Sequence, residues 1–391
     1  MSWLNAAQPA PGGWAALVRD LQILIASLLQ ESEIEPRQRY LEKSMALLRE
    51  KAAAMAGVSQ QIDFQLRSGQ AYENFGALDE ALAAYQRAAE LCTAHHFVPQ
   101  KIETLRWIGN IQARQSRWPE AAQTYQEMLA LCASSGEALG QVHAENGLGS
   151  LFFEQGEFEQ AAAHWGNALE LAEKANAANE IAILYNNLGA LANAQGQWDK
   201  ALTCYGESLP RFETTGNMSG MASTYHNLAM TYADGNNWPE ASVYYEKSFR
   251  LAQQLGDLNL QTLVKLNRVE LYLAIGDAAL AEALCQQVLQ TYKHLQDHLG
   301  EADACKFLGM IAAQKRAWTK AKAHFAKSIR LALEFHHPLG EAEARWEYGR
   351  MLKQKGAAQN AREQFEQALA LFRKVNAGVE IAKVQKAMAE L

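Results

Sequence analysis

The sequence predicts an all-α fold, an α-solenoid of about eight 40-residue helix-hairpin repeats, and three parallel tracks carry that prediction. Alanine recurs at Ala81, Ala121, Ala161, Ala201, Ala241, Ala281, Ala321 and Ala361 without a slip of register. Twelve positions before each alanine runs a glycine track, Gly69, Gly109, Gly149, Gly189, Gly309 and Gly349, with Ala229 and Val269 in the two gaps. Four positions after each alanine runs an aromatic track, Tyr85, Tyr125, Trp165, Tyr205, Tyr245, Phe325 and Phe365, broken by Cys285. A fixed period of tens of residues marks stacked units that cannot bury their apolar faces alone.

Before the array, residues 1–13 read as a flexible N-terminus. Trp14, Leu17, Val18, Leu21, Leu24, Ile25, Leu28 and Leu29 keep helical spacing. With the amphipathic stretch from Tyr40 to Leu48 they predict a degenerate N-terminal capping hairpin over 14–58. The repeats follow over 62–375, and 379–391 is a lone stretch in phase with the first helix of a repeat. It predicts a C-terminal capping helix, because the last unit of a solenoid must cover an apolar face.

Residues 182–213 show one unit. Ile183, Leu184, Leu188 and Leu191 keep helical spacing until Ala194-Gln195-Gly196-Gln197 interrupts it. Gly196 stands where a helix C-cap needs a left-handed backbone. Trp198 and Asp199 then open a second helix that carries Ala201, Leu202 and Tyr205. Two other second helices open at Trp118-Pro119 and Trp238-Pro239, where the missing N–H of proline costs nothing. The glycine and alanine tracks put small residues where the helices of a hairpin cross, and the aromatic track fills the space between one hairpin and the next. Pro210 is out of pattern. Inside a second helix, it predicts a kink or an early end, and with it a hinge near the middle of the array.

In order and spacing, Leu188-Gly189, Gly196, Ala201 and Tyr205 resemble the tetratricopeptide repeat in its longer-helix form. Asn186-Asn187-Leu188-Gly189 and His226-Asn227-Leu228-Ala229 resemble the first helices of kinesin light chains and of G-protein-modulating mitotic scaffolds. The resemblance covers about residues 62 to 375. It implies a right-handed superhelix whose first helices line a concave face that holds ligands. Carrying the family's inward positions over selects Leu66, Gln70, Arg106, Asn110, Arg114, His143, Asn146, Ser150, Asn186, Asn193, His226, Met230, Leu266, Glu270, Lys306, Met310, Trp346 and Arg350. Asn187, Asn227 and Asn267 lie one residue over, at a position the family also uses.

A ladder of Asn146, Asn186, Asn227 and Asn267 offers amide donors and acceptors to the backbone of an extended peptide. The alternative is that these asparagines bond across neighbouring first helices. Trp346, beside Arg345 and Arg350, has the composition of an interface anchor; its alternative is contact with the capping helix. Arg106 and Asn110 match the start of the family's clamp for chaperone C-termini. Ile183 and Asn187 stand where that clamp needs basic residues, which argues against it.

Composition narrows the function classes. The chain has 391 residues, 49% of them hydrophobic, and a net charge of −7, which argues against a general nucleic-acid partner. Five cysteines with no CxxC pair fit a reducing compartment. The N-terminus lacks a basic secretory region, and no apolar stretch is long enough to insert into a membrane, so a cytoplasmic protein is expected. Walker, GxSxG and HExxH motifs are absent, and the spacing of His294 and His298 suits a solvated helix end better than a metal site. No enzyme, cofactor, catalytic residue or metal is expected. Nine glutamates and no lysine or arginine lie between Trp118 and Glu173, whereas seven lysines and arginines and no acid lie between Ala304 and Leu333. Such asymmetry orients a partner or supports self-association.

The function expected from the sequence is a protein-protein interaction scaffold that binds a peptide segment or helix of a partner in the concave groove. The alternatives are a peptide-responsive regulatory sensor and a self-associating structural scaffold.

Overall fold

The computed structural model describes residues 57–391 apart from Phe75 and Asn376, so the flexible N-terminus and nearly all of the 14–58 hairpin expected from the sequence lie outside the described residues. The described residues form seventeen helices and no strand. They come in pairs. The first pairs are α1 (Val58–Asn74) with α2 (Leu78–Ala94), α3 (Val98–Arg114) with α4 (Trp118–Ser135), and α5 (Ala138–Glu154) with α6 (Phe158–Lys174). Next come α7 (Ala178–Ala194) with α8 (Trp198–Thr215), α9 (Met218–Asp234) with α10 (Trp238–Leu255), and α11 (Leu258–Ala274) with α12 (Ala278–His294). The last are α13 (His298–Gln314) with α14 (Trp318–Glu334) and α15 (Pro338–Gln354) with α16 (Ala358–Lys374), followed by the single helix α17 (Gly378–Ala389).

The fold is the all-α solenoid the period predicts. The contacts of the described residues divide into two compact units, one ending at 140 (the 1–140 unit by sequence) and the other spanning 141–391. Within 141–391 the first helices of successive repeats also touch one another, α7 with α9, α9 with α11, α11 with α13 and α13 with α15. Their second helices meet far less, so the first helices form the inner layer of this unit.

What ends each helix is regular. A residue with positive φ falls every 20 positions from Gly76 to Gly356, in the turns inside repeats and between them alike. At each turn the chain closes back on the helix it leaves, as in Gly196 N–H to Asn193 O (2.8 Å) and Gln197 N–H to Ala192 O (2.8 Å). This is the Schellman pattern, which satisfies carbonyls the helix leaves open. Pro99, Pro119, Pro239 and Pro338 occupy first turns, and Asn217, Asp257, Asp277 and Asp297 accept from backbone N–H groups as N-caps.

Two sequence expectations change. Helix α8 does not end at Pro210 but runs on to Thr215. Pro210 is exposed, so the lost hydrogen bond faces water, while buried Tyr205, Ser208 and Phe212 hold both halves of the helix to the core. The Ser208 hydroxyl also donates to Ala182 O (2.8 Å). The aromatic track, for its part, packs inside its own hairpin rather than only between hairpins. A Cβ built on Gly69 would stand 2.4 Å from the Tyr85 ring; on Gly149, 2.5 Å from Trp165; on Gly349, 2.5 Å from Phe365. The glycine of the first helix is a seat for the ring of the second.

A sparser set of glycines joins repeats. The third residue of a first helix, Gly220 or Gly300, receives Phe212 or Tyr292 from the preceding second helix at 2.4 and 2.5 Å from a built Cβ.

Adjacent glycines give a contrast in stability. Gly149→Ala forces a methyl group into the Trp165 ring, and overpacking of this kind costs about 1–3 kcal/mol. Gly166, mid-helix in α6, has open space around its built Cβ, so Gly166→Ala stabilises by about 0.5–1 kcal/mol. Thermal melts should rank Gly166→Ala above wild type and wild type above Gly149→Ala.

The inner face as a candidate binding site

In the 1–140 unit, Tyr125 Oη donates to Asn110 Oδ1 (2.7 Å) and the Arg106 guanidinium lies 4.8 Å from the Trp107 ring centre. Arg114 pairs with Glu73 (2.8 Å) one repeat back. Asn110 and Arg106 are half-buried and tied to aromatic neighbours rather than extended into solvent.

In the 141–391 unit the predicted asparagines come together across repeats. Asn187 Nδ2 donates to Asn146 Oδ1 (2.8 Å), and Asn227 Nδ2 to Asn186 Oδ1 (3.1 Å). Asn267 Nδ2 meets His226 Nε2 at 2.9 Å, and Asn193 Nδ2 donates to Asp234 Oδ2 (2.8 Å). Every one of these pairs spans 41 residues, one more than the repeat. Two equivalent parallel helices cannot face each other with the same residue. One presents a given position and its neighbour the next, which lies about 100° further round the helix. The ladder therefore consists of diagonal rungs, and it is the cross-repeat arrangement weighed above as the alternative.

His226 is the centre of the third rung. Only 4% exposed, it accepts from Asn267 at Nε2 and directs Nδ1 to Asn227 Oδ1 (3.4 Å), which fits the neutral Nδ1–H form. Burial lowers its pKa to about 4, against the smaller opposing pull of the Asn227 bond. Ser150 donates to Asn146 O (3.0 Å) in its own helix, and Trp165 Nε1 approaches the same carbonyl (3.3 Å).

The remaining predicted residues are also engaged. Lys306 is nearly enclosed and lies between Asp303 (3.2 Å) and Glu343. Burial works against its charge, but the two carboxylates outweigh burial and hold its ammonium well above the ordinary lysine range. Half-buried Trp346 packs on Phe365 (5.2 Å between ring centres) and belongs to the apolar core that includes Val384 of α17. Exposed Arg350 pairs with Glu347 (2.7 Å) and lies 5.8 Å from the Trp346 ring centre.

Of the acids on this face, the inward positions carried over from the sequence include Glu270 and leave out Asp234, Glu343 and Glu347. Asp234, Glu270, Glu343 and Glu347 come from α9, α11 and α15 and act on one another through space. Loss of water is the largest cause that raises the Glu270 carboxyl to about 7; Asp234 adds to it, and Lys306 opposes. Desolvation likewise raises Asp234 to about 6, although the residue keeps exposed surface and the Asn193 bond opposes the shift. The period marks Glu270, at the inward position equivalent to Met230 and Met310.

Burial pushes the thiols of Cys132, Cys285 and Cys305 up to about 11, 12 and 11, which suppresses the reactive thiolate. Among the described residues no group of three or more His, Cys, Asp or Glu side chains is placed to hold a metal ion, and no helix is long and apolar enough to cross a membrane.

These features define a helix-hairpin solenoid with an amide- and carboxylate-lined inner layer. A sequence model of the tetratricopeptide repeat matches residues 100–174, 140–214 and 180–254, and a second matches 62–95. Residues 62–95 and 100–254 of the chain are therefore tetratricopeptide repeats. No curated protein matches its sequence. Among solved structures it is similar to a Rap conjugation gene regulator of the plasmid pLS20 in complex with the Phr* peptide, at 14% identity, covering 82% of this chain and 96% of that one, with a TM-score of 0.62. It is also similar to aspartyl phosphate phosphatase F from Bacillus subtilis, at 13% identity, 83% and 95% coverage and a TM-score of 0.55. A third is a STAND signal transduction ATPase with a tetratricopeptide repeat sensor from Pyrococcus horikoshii, at 14% identity, 99% and 66% coverage and a TM-score of 0.52. At these identities the likeness is one of fold.

The Glu270 carboxyl gives the inner face a pH signature. An unfolded glutamate titrates near 4.3, whereas Glu270 in the fold titrates at about 7. The fold therefore disfavours its charged form. The destabilising contribution is absent below about pH 4 and complete above about pH 7. Glu270→Gln should raise the thermal midpoint by about 2–4 °C at pH 8 and leave it unchanged at pH 4.

Proposed function

We propose that the protein is a non-catalytic interaction module whose inner face, within 141–391, binds a peptide segment of a partner protein. The observation that carries the reading is the rung geometry. Asn146 and Asn186 enter the rungs through Oδ1, which leaves their Nδ2 donors for the carbonyls of a bound backbone. The two sit 40 residues apart in sequence on neighbouring first helices, and both are half-buried, so their geometry is fixed before binding. The similar fold of a regulator solved with a peptide supports the same reading. So does the chemistry of the face, which presents fixed amides and carboxylates.

A second form of the reading is a sensor in which the bound peptide changes the pitch of the array; that the similar fold solved with a peptide is a regulator is in keeping with it. A bound peptide that alters the radius of gyration in solution scattering would distinguish this sensor from a passive adaptor.

The test is selection of a displayed random-peptide library on the full chain, followed by titration of the enriched peptide. Asn146→Ala with Asn186→Ala should weaken it at least about tenfold, or about 1.4 kcal/mol. Lys322→Ala, on the outer helix α14, should leave affinity unchanged. An enriched peptide that follows the outer substitution and ignores the inner pair would contradict the proposal.

A further inference from the structure

The glycines of the turns are of two kinds. Seven of the positive-φ turn positions are filled by other residues, His96, Ser116, Asn176, Asn236, Gln296, Arg316 and His336, so the backbone alone does not demand glycine there. At Gly136, Gly216, Gly276 and Gly356 nothing lies within 4 Å of a built Cβ. Gly156 and Gly196 differ. A Cβ on Gly156 would stand 2.2 Å from Val375 Cγ1, and one on Gly196 would stand 2.1 Å from Val379 Cγ2. These contacts join turns of the third and fourth repeats to the segment entering α17, far along the chain but inside the same 141–391 unit.

Three further observations follow the same line. Val375 is 1% exposed and Val384 is fully buried, in one apolar core with Val142, Phe158, Leu184 and Leu191. Pro338, at the start of α15, also reaches Gly156 (3.8 Å from its built Cβ). Asp234, at the end of α9, is within electrostatic reach of Lys383 and Glu380 in α17. Successive turn edges, at 156, 196 and 234, therefore face 338 and 375, 379, and 380–383 in order.

We propose that Val375 and Val379, seated on Gly156 and Gly196, form a clasp that holds the 141–391 coil closed and so gates access to its inner face. The clasp acts through shape. Each glycine removes the one methyl group that would hold the edges apart, and each valine fills the space left. It acts on the face assigned above to a peptide, but its presence is testable without any peptide, so failure of that assignment and failure of the clasp are separable. Release of the valines would let the edges part and widen the entrance, with the first helices and their rungs intact.

Two experiments on the full chain test it. In the first, Gly156→Cys with Val375→Cys is exposed to copper-phenanthroline; a fast intramolecular disulfide, seen as a mobility shift on a non-reducing gel and reversed by reductant, is expected. In the second, a Glu270→Cys reporter is labelled with a 5-kDa polyethylene-glycol maleimide. Val375→Ala with Val379→Ala should speed that labelling several-fold and enlarge the radius of gyration, with helical circular dichroism unchanged. Absence of the cross-link overturns the clasp. So does a helical double alanine variant with unchanged labelling rate and radius. Should the alanine variant lose its helical signal, the cross-link decides alone.

Discussion

The contact on which the structure depends is an aromatic ring of the second helix lying on a glycine of the first. In the hairpins of Gly69, Gly109, Gly149, Gly189, Gly309 and Gly349, the built Cβ falls between 2.4 and 2.7 Å from the ring, a distance no methyl group can hold. Close packing leaves no slack to absorb it. The rings so seated, among them Tyr85, Tyr205, Phe325 and Phe365, are at most 2% exposed and anchor the cores of both units. The seat recurs in phase with the 40-residue repeat, and within 141–391 the first helices of successive repeats touch one another.

That regularity produces the inner face. Once first helices are parallel and equivalent, their facing positions are offset by one residue, and polar partners appear 41 apart. The amide rungs, the Asn193–Asp234 bond and the Glu73–Arg114 pair all obey this offset. The same geometry brings Asp234, Glu270, Glu343 and Glu347 within electrostatic reach of one another, and desolvation sets the Asp234 and Glu270 carboxyls above their usual range. A ligand for this face meets fixed amides and a negative field.

The fold was legible because repetition multiplies a weak local signal. Gly196 alone is a turn, but the same turn in phase with Ala201 and Tyr205 along the array is a solenoid. The inward positions were legible only through the resemblance, and what they do was not. Asn186 and Asn187 are adjacent in sequence, yet they bond in opposite directions, to Asn227 and to Asn146; only the angle between neighbouring helices decides that. His226 looked like a groove residue and is interior, because Asn267 and Tyr245 enclose it from the next first helix and its own hairpin. Pro210 looked like a break and is not one, since the core residues flanking it outweigh one lost hydrogen bond on the wet side. The contact of Val379 with Gly196 had no sequence signal at all, as it joins positions with no fixed spacing.

The central claim is that binding belongs to the first helices of the 141–391 unit. Hydrogen–deuterium exchange of the full chain, with and without a selected peptide, tests it most directly. The account predicts slowed exchange in α5, α7, α9 and α11, with the outer helices α8, α10 and α12 unchanged. Protection confined to those outer helices, with the first helices unaffected, would contradict it.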